Sequence, residues 1–195
     1  GEAATLTGDE QAYTAALVVD EALGRVPVVV GVGARSTHGA ITEALAAQNA
    51  GADALLVVTP PYNKPTQSGL LAHFLTVAEN TNLPICLYNV PGRTAVDLLP
   101  ATVAQLIEHP RIVAIKEATG SLQRSAEIRR LCGDRIALMS GDDFTTMPFV
   151  AAGGDGVISV LSNIAPEPFL EMLEALEFRN FARARQLHHQ LQPLI

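Results

Sequence analysis

Six short runs of apolar and β-branched residues, each followed by a helical pattern, constrain the fold of this chain more than any other feature. They are Val26–Val32, Ala54–Val58, Pro84–Asn89, Ile112–Lys116, Arg135–Ser140 and Gly156–Val160. A strand with one wet face alternates apolar and polar residues, whereas these runs are continuous, so both of their faces are covered. Helices between them supply the cover, and the repeat βα, βα, βα defines an α/β chain built on a parallel sheet.

The helix signals are local and conventional. The capping box Thr7-Gly8-Asp9-Glu10 opens a first helix, with Ala12, Ala16, Val19 and Leu23 on one face and no strand before it. Ser36-Thr37 starts a segment that runs to Ala50 and stops at Gly51. Thr66 starts one with a stripe of Leu70, Phe74 and Val77, Pro100 lies at the start of Leu99–His109, and Ser121–Cys132 stops at Gly133. Asp142-Asp143 sit after the fifth run and before Phe144–Ala152, where a carboxylate reads as a helix N-cap, and Asp143 is assigned that role. Glu167–Glu177 and Asn180–Gln192 are consecutive helices with no strand between them. The expected division is therefore a partial barrel over 1–176 and the beginning of a helical region over 177–195.

Closing a (β/α)8 TIM barrel takes eight strands, so six units headed by a lone helix imply a barrel of which this chain carries only part. The rival is a doubly wound open sheet. Gly31-Val32-Gly33-Ala34-Arg35-Ser36 invites a dinucleotide reading, but the third glycine and the acidic residue at the next strand end are missing.

Composition excludes several function classes. With 48% hydrophobic residues in 195, the chain can bury a sizeable core. A net charge of −7 offers no basic field to nucleic acid or to an anionic membrane surface. No apolar run approaches the ~18–20 residues of a bilayer span, and Gly1-Glu2-Ala3-Ala4-Thr5 lacks the features of a signal peptide, so a cytoplasmic protein is expected. Cys86 and Cys132 form no CxxC pair and read as buried reduced thiols, and His188-His189 has no metal-ligand spacing, so no metal site is expected.

Active residues of a (β/α)8 barrel lie at the C-terminal strand ends, and those ends are polar here. Lys116 closes the run Ile112-Val113-Ala114-Ile115, where burial disfavours an ammonium. Desolvation can bring a lysine down from ~10.4 by up to ~3–5 units, leaving a free amine able to attack a ketone. The plain alternative is a strand-end lysine whose stem packs while its head reaches water. Beside it stand Thr59-Pro60-Pro61-Tyr62-Asn63-Lys64-Pro65, Tyr88-Asn89-Val90-Pro91-Gly92-Arg93-Thr94, Glu117-Ala118-Thr119-Gly120 and Ser140-Gly141-Asp142-Asp143.

These motifs, with Gly1-Glu2 and Gly156-Val157-Ile158-Ser159, resemble the dihydrodipicolinate synthase family of pyruvate-dependent class I lyases and aldolases, across essentially the whole chain. The resemblance implies that Lys116 forms a Schiff base with pyruvate, whose enamine attacks aspartate semialdehyde to give 4-hydroxy-tetrahydrodipicolinate, for lysine and diaminopimelate synthesis. It implies Tyr88 as the proton relay, Tyr62 as a relay residue reaching a neighbouring subunit's site, Arg93 as the holder of the semialdehyde carboxylate, and Gly141 and Ile158 as the pyruvate pocket lining. It implies a homodimer, commonly within a homotetramer, and no cofactor or metal, because the protonated imine is itself the electron sink.

The family carries two strands and two relay threonines upstream of Gly1-Glu2, and more of the C-terminal helical region, than this sequence does. A molecule beginning at Gly1 is accordingly expected to be inactive or poorly folded. Where lysine-inhibited members place polar or charged groups, this chain has Ala3, Gly8, Gln11, Arg35 and Gly39, which implies weak or absent lysine feedback. The competing readings are a sister enzyme, N-acetylneuraminate lyase or a 2-keto-3-deoxy sugar-acid aldolase, against which Arg93 argues, and a noncatalytic fragment that binds a keto acid.

Overall fold

The computed structural model describes residues 2–195; Gly1 of the Gly1-Glu2 motif lies outside the described residues. α1 (Gly8–Ala22) precedes β1 (Val29–Val32), followed by α2 (Thr37–Asn49), β2 (Ala54–Val58), α3 (Gln67–Glu79) and β3 (Ile85–Asn89). The single turn α4 (Pro91–Thr94) and α5 (Pro100–Leu106) lead to β4 (Ile112–Glu117), α6 (Leu122–Cys132), β5 (Ala137–Ser140), α7 (Thr146–Ala151) and β6 (Gly156–Val157). α8 (Pro166–Glu177) and α9 (Phe181–Leu191) complete the order. All six strands are parallel and pair in chain order, β1 through β6. The result is an open six-strand arc of a (β/α)8 barrel, wrapped by its helices, rather than a doubly wound sheet.

Strand alternation divides the arc into two faces. Leu55, Val57, Ile85, Leu87, Ile115 and Leu138 are essentially inaccessible and pack against Leu70, Phe74, Val103, Leu106 and Ile128 of the helices. The intervening residues, among them Cys86, Tyr88, Ala114, Lys116 and Met139, therefore face the inner, concave side. A second apolar cluster joins Leu161, Phe169, Met172 and Leu176 to Ala184, Leu187 and Leu191, and it pairs α8 with α9.

The structure corrects four local expectations. In α1 the buried residues are Ala15 and Ala22, with Ala12 and Val19 partly covered, whereas Ala16 is exposed and Leu23 is 76% exposed at a left-handed C-cap. The stripe follows spacings of three and four residues along small side chains, which lets α1 lie against α2. Asp143 does not cap the following helix. α7 begins at Thr146, and it is the Asp142 carboxylate that accepts from the Thr145 N–H (3.0 Å) and hydroxyl (2.6 Å). Asp143 Oδ2 instead accepts from the Val160 and Leu161 N–H groups at 3.0 and 2.9 Å, across the end of the sheet. The last strand ends at Val157, because Val160 turns to a helical conformation that opens the 3-10 turn Leu161–Asn163. The first strand begins at Val29, so Val26 lies outside the sheet, and both residues are exposed. Among the described residues no helix is long and apolar enough to cross a membrane.

Candidate active site

The parallel register of β3 and β4 sets Tyr88 opposite Lys116 and Asn89 opposite Glu117. Because successive side chains point to opposite faces, the first pair enters the concave side and the second faces the helices. The Lys116 amine lies 4.3 Å from the centre of the Tyr88 ring. Lys116 is 9% exposed, and burial brings its amine below the ordinary lysine range, opposed by Cys86 and Asp143. Burial also pushes the Cys86 thiol up to about 12 against the pull of Lys116, so this thiol is uncharged at neutral pH. The ring face of Tyr88 also favours an ammonium, by about 0.5–2 kcal/mol, and so opposes the desolvation. Burial raises the Tyr88 phenol, opposed by Arg93, which keeps the hydroxyl protonated and able both to donate and to accept.

Gly141 follows β5 and donates its N–H to the Glu117 carbonyl at 2.8 Å. A Cβ at this position would stand 2.6 Å from Ala118 Cβ and 2.9 Å from Lys116 Cε, so the lysine stem occupies space that only glycine leaves open. Ile158, half-buried, lies one residue past β6 and donates its N–H to the Ser140 carbonyl at 2.9 Å. Arg93 lies exposed on the rim in α4, within electrostatic reach of Tyr88.

Lys116, Tyr88 and Gly141 are thus in one cluster, with Ile158 just past the end of β6 and Arg93 at the mouth. Tyr62 is not gathered in. It is 84% exposed with φ +74°, a left-handed conformation unusual for an aromatic residue, and its N–H donates to the Thr94 carbonyl at 3.2 Å.

Sequence reasoning assigned no role to the polar residues buried behind this cluster. Thr59 donates to the Thr94 hydroxyl at 3.0 Å, and Thr94 in turn donates to the Val90 and Val96 carbonyls. Asn89 and Glu117 are fully or nearly fully buried and hydrogen-bonded to each other at 3.0 Å. Their available signal was parity, since both share the helix-facing side with core residues yet are polar.

The sequence matches the Dihydrodipicolinate synthetase family over residues 1–195. The 4-hydroxy-tetrahydrodipicolinate synthase of Thermodesulfovibrio yellowstonii is 50% identical over 194 residues, covering 100% of this chain and 67% of its own length. The enzyme of the same name from Citrifermentans bemidjiense is 52% identical over 188 residues, covering 96% and 65%. The crystal structure of the chloride-inhibited dihydrodipicolinate synthase from Acinetobacter baumannii, complexed with pyruvate, superposes with a TM-score of 0.96 at 42% identity, covering 100% of this chain and 67% of that one. This chain spans about two thirds of the length of these relatives.

Proposed function

This chain belongs to the dihydrodipicolinate synthetase family, and from that premise we propose that it condenses pyruvate with L-aspartate 4-semialdehyde to form 4-hydroxy-tetrahydrodipicolinate. The observation that carries this reading is a desolvated Lys116 amine held 4.3 Å from the Tyr88 ring centre at the C-terminal end of a parallel strand. The pyruvate bound in the A. baumannii relative supports a 2-oxo acid as first substrate.

The neutral amine of Lys116 attacks C2 of pyruvate, and the resulting carbinolamine loses water to give a protonated imine. That cation draws electrons from the adjacent methyl, which releases a proton and becomes the nucleophilic carbon of an enamine. The enamine carbon bonds to the aldehyde carbon of the semialdehyde, whose oxygen takes up a proton. The semialdehyde amine then displaces Lys116, closing the ring and restoring the free enzyme. Tyr88 moves protons at the imine centre, as a protonated phenol beside Lys116 is suited to do. Arg93 holds the semialdehyde carboxylate with its planar guanidinium. Gly141 and Ile158 bound the pyruvate pocket.

Tyr62 acts in a neighbouring subunit of a homodimer, itself part of a homotetramer; its exposure and its displayed left-handed turn support that role. Residues 1–176 carry the chemistry, and 177–195 begin a helical region. We place the protein in the cytoplasm. Lysine feedback is weak or absent. Gln11 already spends its amide on the Ala3 and Leu6 carbonyls, and a side chain at Gly39 would meet Ala34 Cβ at 2.9 Å. Half-inhibition by submillimolar lysine would overturn that statement.

The test is reductive trapping. The full-length protein is mixed with pyruvate and borohydride, digested, and searched for an adduct on Lys116. Turnover is then compared among aspartate semialdehyde, N-acetylneuraminate and keto-deoxy sugar acids. An unmodified Lys116 refutes the Schiff-base assignment, and preference for a sugar acid refutes the substrate.

A further inference from the structure

Behind the strand ends that present Tyr88 and Lys116 lies a polar chain with no assigned role, buried at Asn89 and Glu117 and partly buried at Asp97 and Arg124. Asn89 is fully buried, and its side chain makes three hydrogen bonds to two different parts of the fold. Its Nδ2 donates to Glu117 Oε2 and to Asp97 Oδ1, each at 3.0 Å, and its Oδ1 accepts from the Leu98 N–H at 2.9 Å. Glu117 Oε1 accepts from the Thr119 N–H at 2.7 Å, anchoring the chain just beyond β4. On the other side Arg124 grips Asp97 with two bonds of 2.9 and 2.6 Å and donates to the Leu98 carbonyl at 3.2 Å. Two carboxylates therefore share one amide. Aspartate at position 89 would have no proton to give either of them.

The placement of these bonds gives them a consequence beyond stability. The segment between Asn89 and Asp97 contains Arg93, and the Asn89 side chain closes that segment at its far end. The same side chain holds Glu117, the residue next to Lys116. We propose that Asn89 is a positioning residue that locks the Arg93 turn to the Lys116 strand end, through Asp97 on one side and Glu117 on the other. The proposal rests on the reading of Lys116 as the imine-forming group and Arg93 as the carboxylate holder. It adds that the two substrate sites keep their relation through one amide that touches neither substrate.

The two arms of the clamp separate experimentally in the full-length protein. In Glu117→Gln, whichever way the new amide turns, a donor meets either Asn89 Nδ2 or the Thr119 N–H. This variant slows borohydride trapping of pyruvate on Lys116 by about tenfold or more while changing the KM for aspartate semialdehyde by less than about threefold, since a small displacement of reacting groups acts strongly on rate. Asp97→Asn turns a donor toward Arg124 or Asn89 and loosens the Arg93 turn, so it raises the semialdehyde KM about tenfold and leaves trapping within about threefold. Asn89→Ala shifts both readouts. If that variant does not fold, the two single-arm variants carry the test.

Parallel changes in both readouts that track the loss of melting temperature, or no change in either, would overturn the clamp. Absence of trapping in the unmodified protein would instead overturn the functional reading. Amide hydrogen exchange then decides the clamp by itself: Asp97→Asn accelerates exchange in residues 93–98 only and Glu117→Gln in 118–120 only, and unchanged exchange in both refutes it.

Discussion

Gly141→Ala puts a single methyl into the narrowest part of the site, and its effect follows from three distances. The new Cβ would lie 2.6 Å from Ala118 Cβ, 2.9 Å from Lys116 Cε and 3.2 Å from Ala118 Cα. Ordinary carbon contacts sit at ~3.5–4.0 Å, so the neighbours must open by ~1 Å. Ala118 is poorly able to yield, because its N–H is bonded to the Asn89 carbonyl at 2.9 Å and the Gly141 N–H holds the Glu117 carbonyl at 2.8 Å. The displacement therefore falls largely on the Lys116 stem, which swings away from Tyr88. Overpacking of this kind costs ~1–3 kcal/mol, and at ~2–4 °C per kcal/mol for a chain of this size the melting temperature falls by ~2–12 °C. A nucleophile misplaced by ~1 Å loses up to ~100-fold in rate, equivalent to ~2.7 kcal/mol in the barrier.

The assay is borohydride trapping of pyruvate at a temperature well below the melt, beside a thermal unfolding curve. Gly156→Ala is the control. Its Cβ would meet Met139 Cε at 2.8 Å, but that is the free end of a flexible side chain, so the expected cost is below ~1 kcal/mol. Parental trapping in Gly141→Ala, or equal damage in Gly156→Ala, would refute the steric reasoning.

Three further outcomes are expected. Lys116 binds fewer protons folded than unfolded, because burial lowers its folded value, so its contribution to stability rises with pH from that lowered value up to the ordinary ~10.4; Lys116→Met removes this slope and melts higher than the parent at neutral pH. Tyr62→Ala leaves the stability of the single chain within ~0.5 kcal/mol but abolishes turnover, and mixing it with an inactive Lys116→Ala partner restores activity if the tyrosine serves the neighbouring site. Mixed subunits that stay inactive despite proven exchange would argue against action in trans. His73 is buried, bonded to the Thr37 hydroxyl at 2.9 Å through Nδ1, with a buried Nε2 that has no partner among the described residues, and burial lowers its proton affinity. Its stabilising neutral state is intact above ~6.5 and is lost as pH falls through the lowered folded-state value, so melting curves of His73→Phe lose part of the acid sensitivity.

Local chemistry in the amino-acid sequence was enough to specify the alternation of strands and helices, the parallel sheet and the strand end at which Lys116 stands. Continuous apolar runs need cover on both faces, caps stop helices within a turn, and an amine at the end of such a run is desolvated by its neighbours; none of these needs a distant contact to be read. Tertiary structure alone decided what depends on register between segments far apart in the chain. Asp143 looked like a cap for the helix beside it and instead holds Val160 and Leu161, 17 and 18 residues away. The buried stripe of α1 was set by its fit to α2 rather than by its most apolar residues. Asn89 and Glu117, 28 residues apart, become partners only because β3 and β4 align Tyr88 with Lys116 on the opposite face. A shift of one residue in that alignment would exchange the two faces and leave the amine among the helices, which is why the chemistry of Lys116 is legible in one segment but its geometry is not.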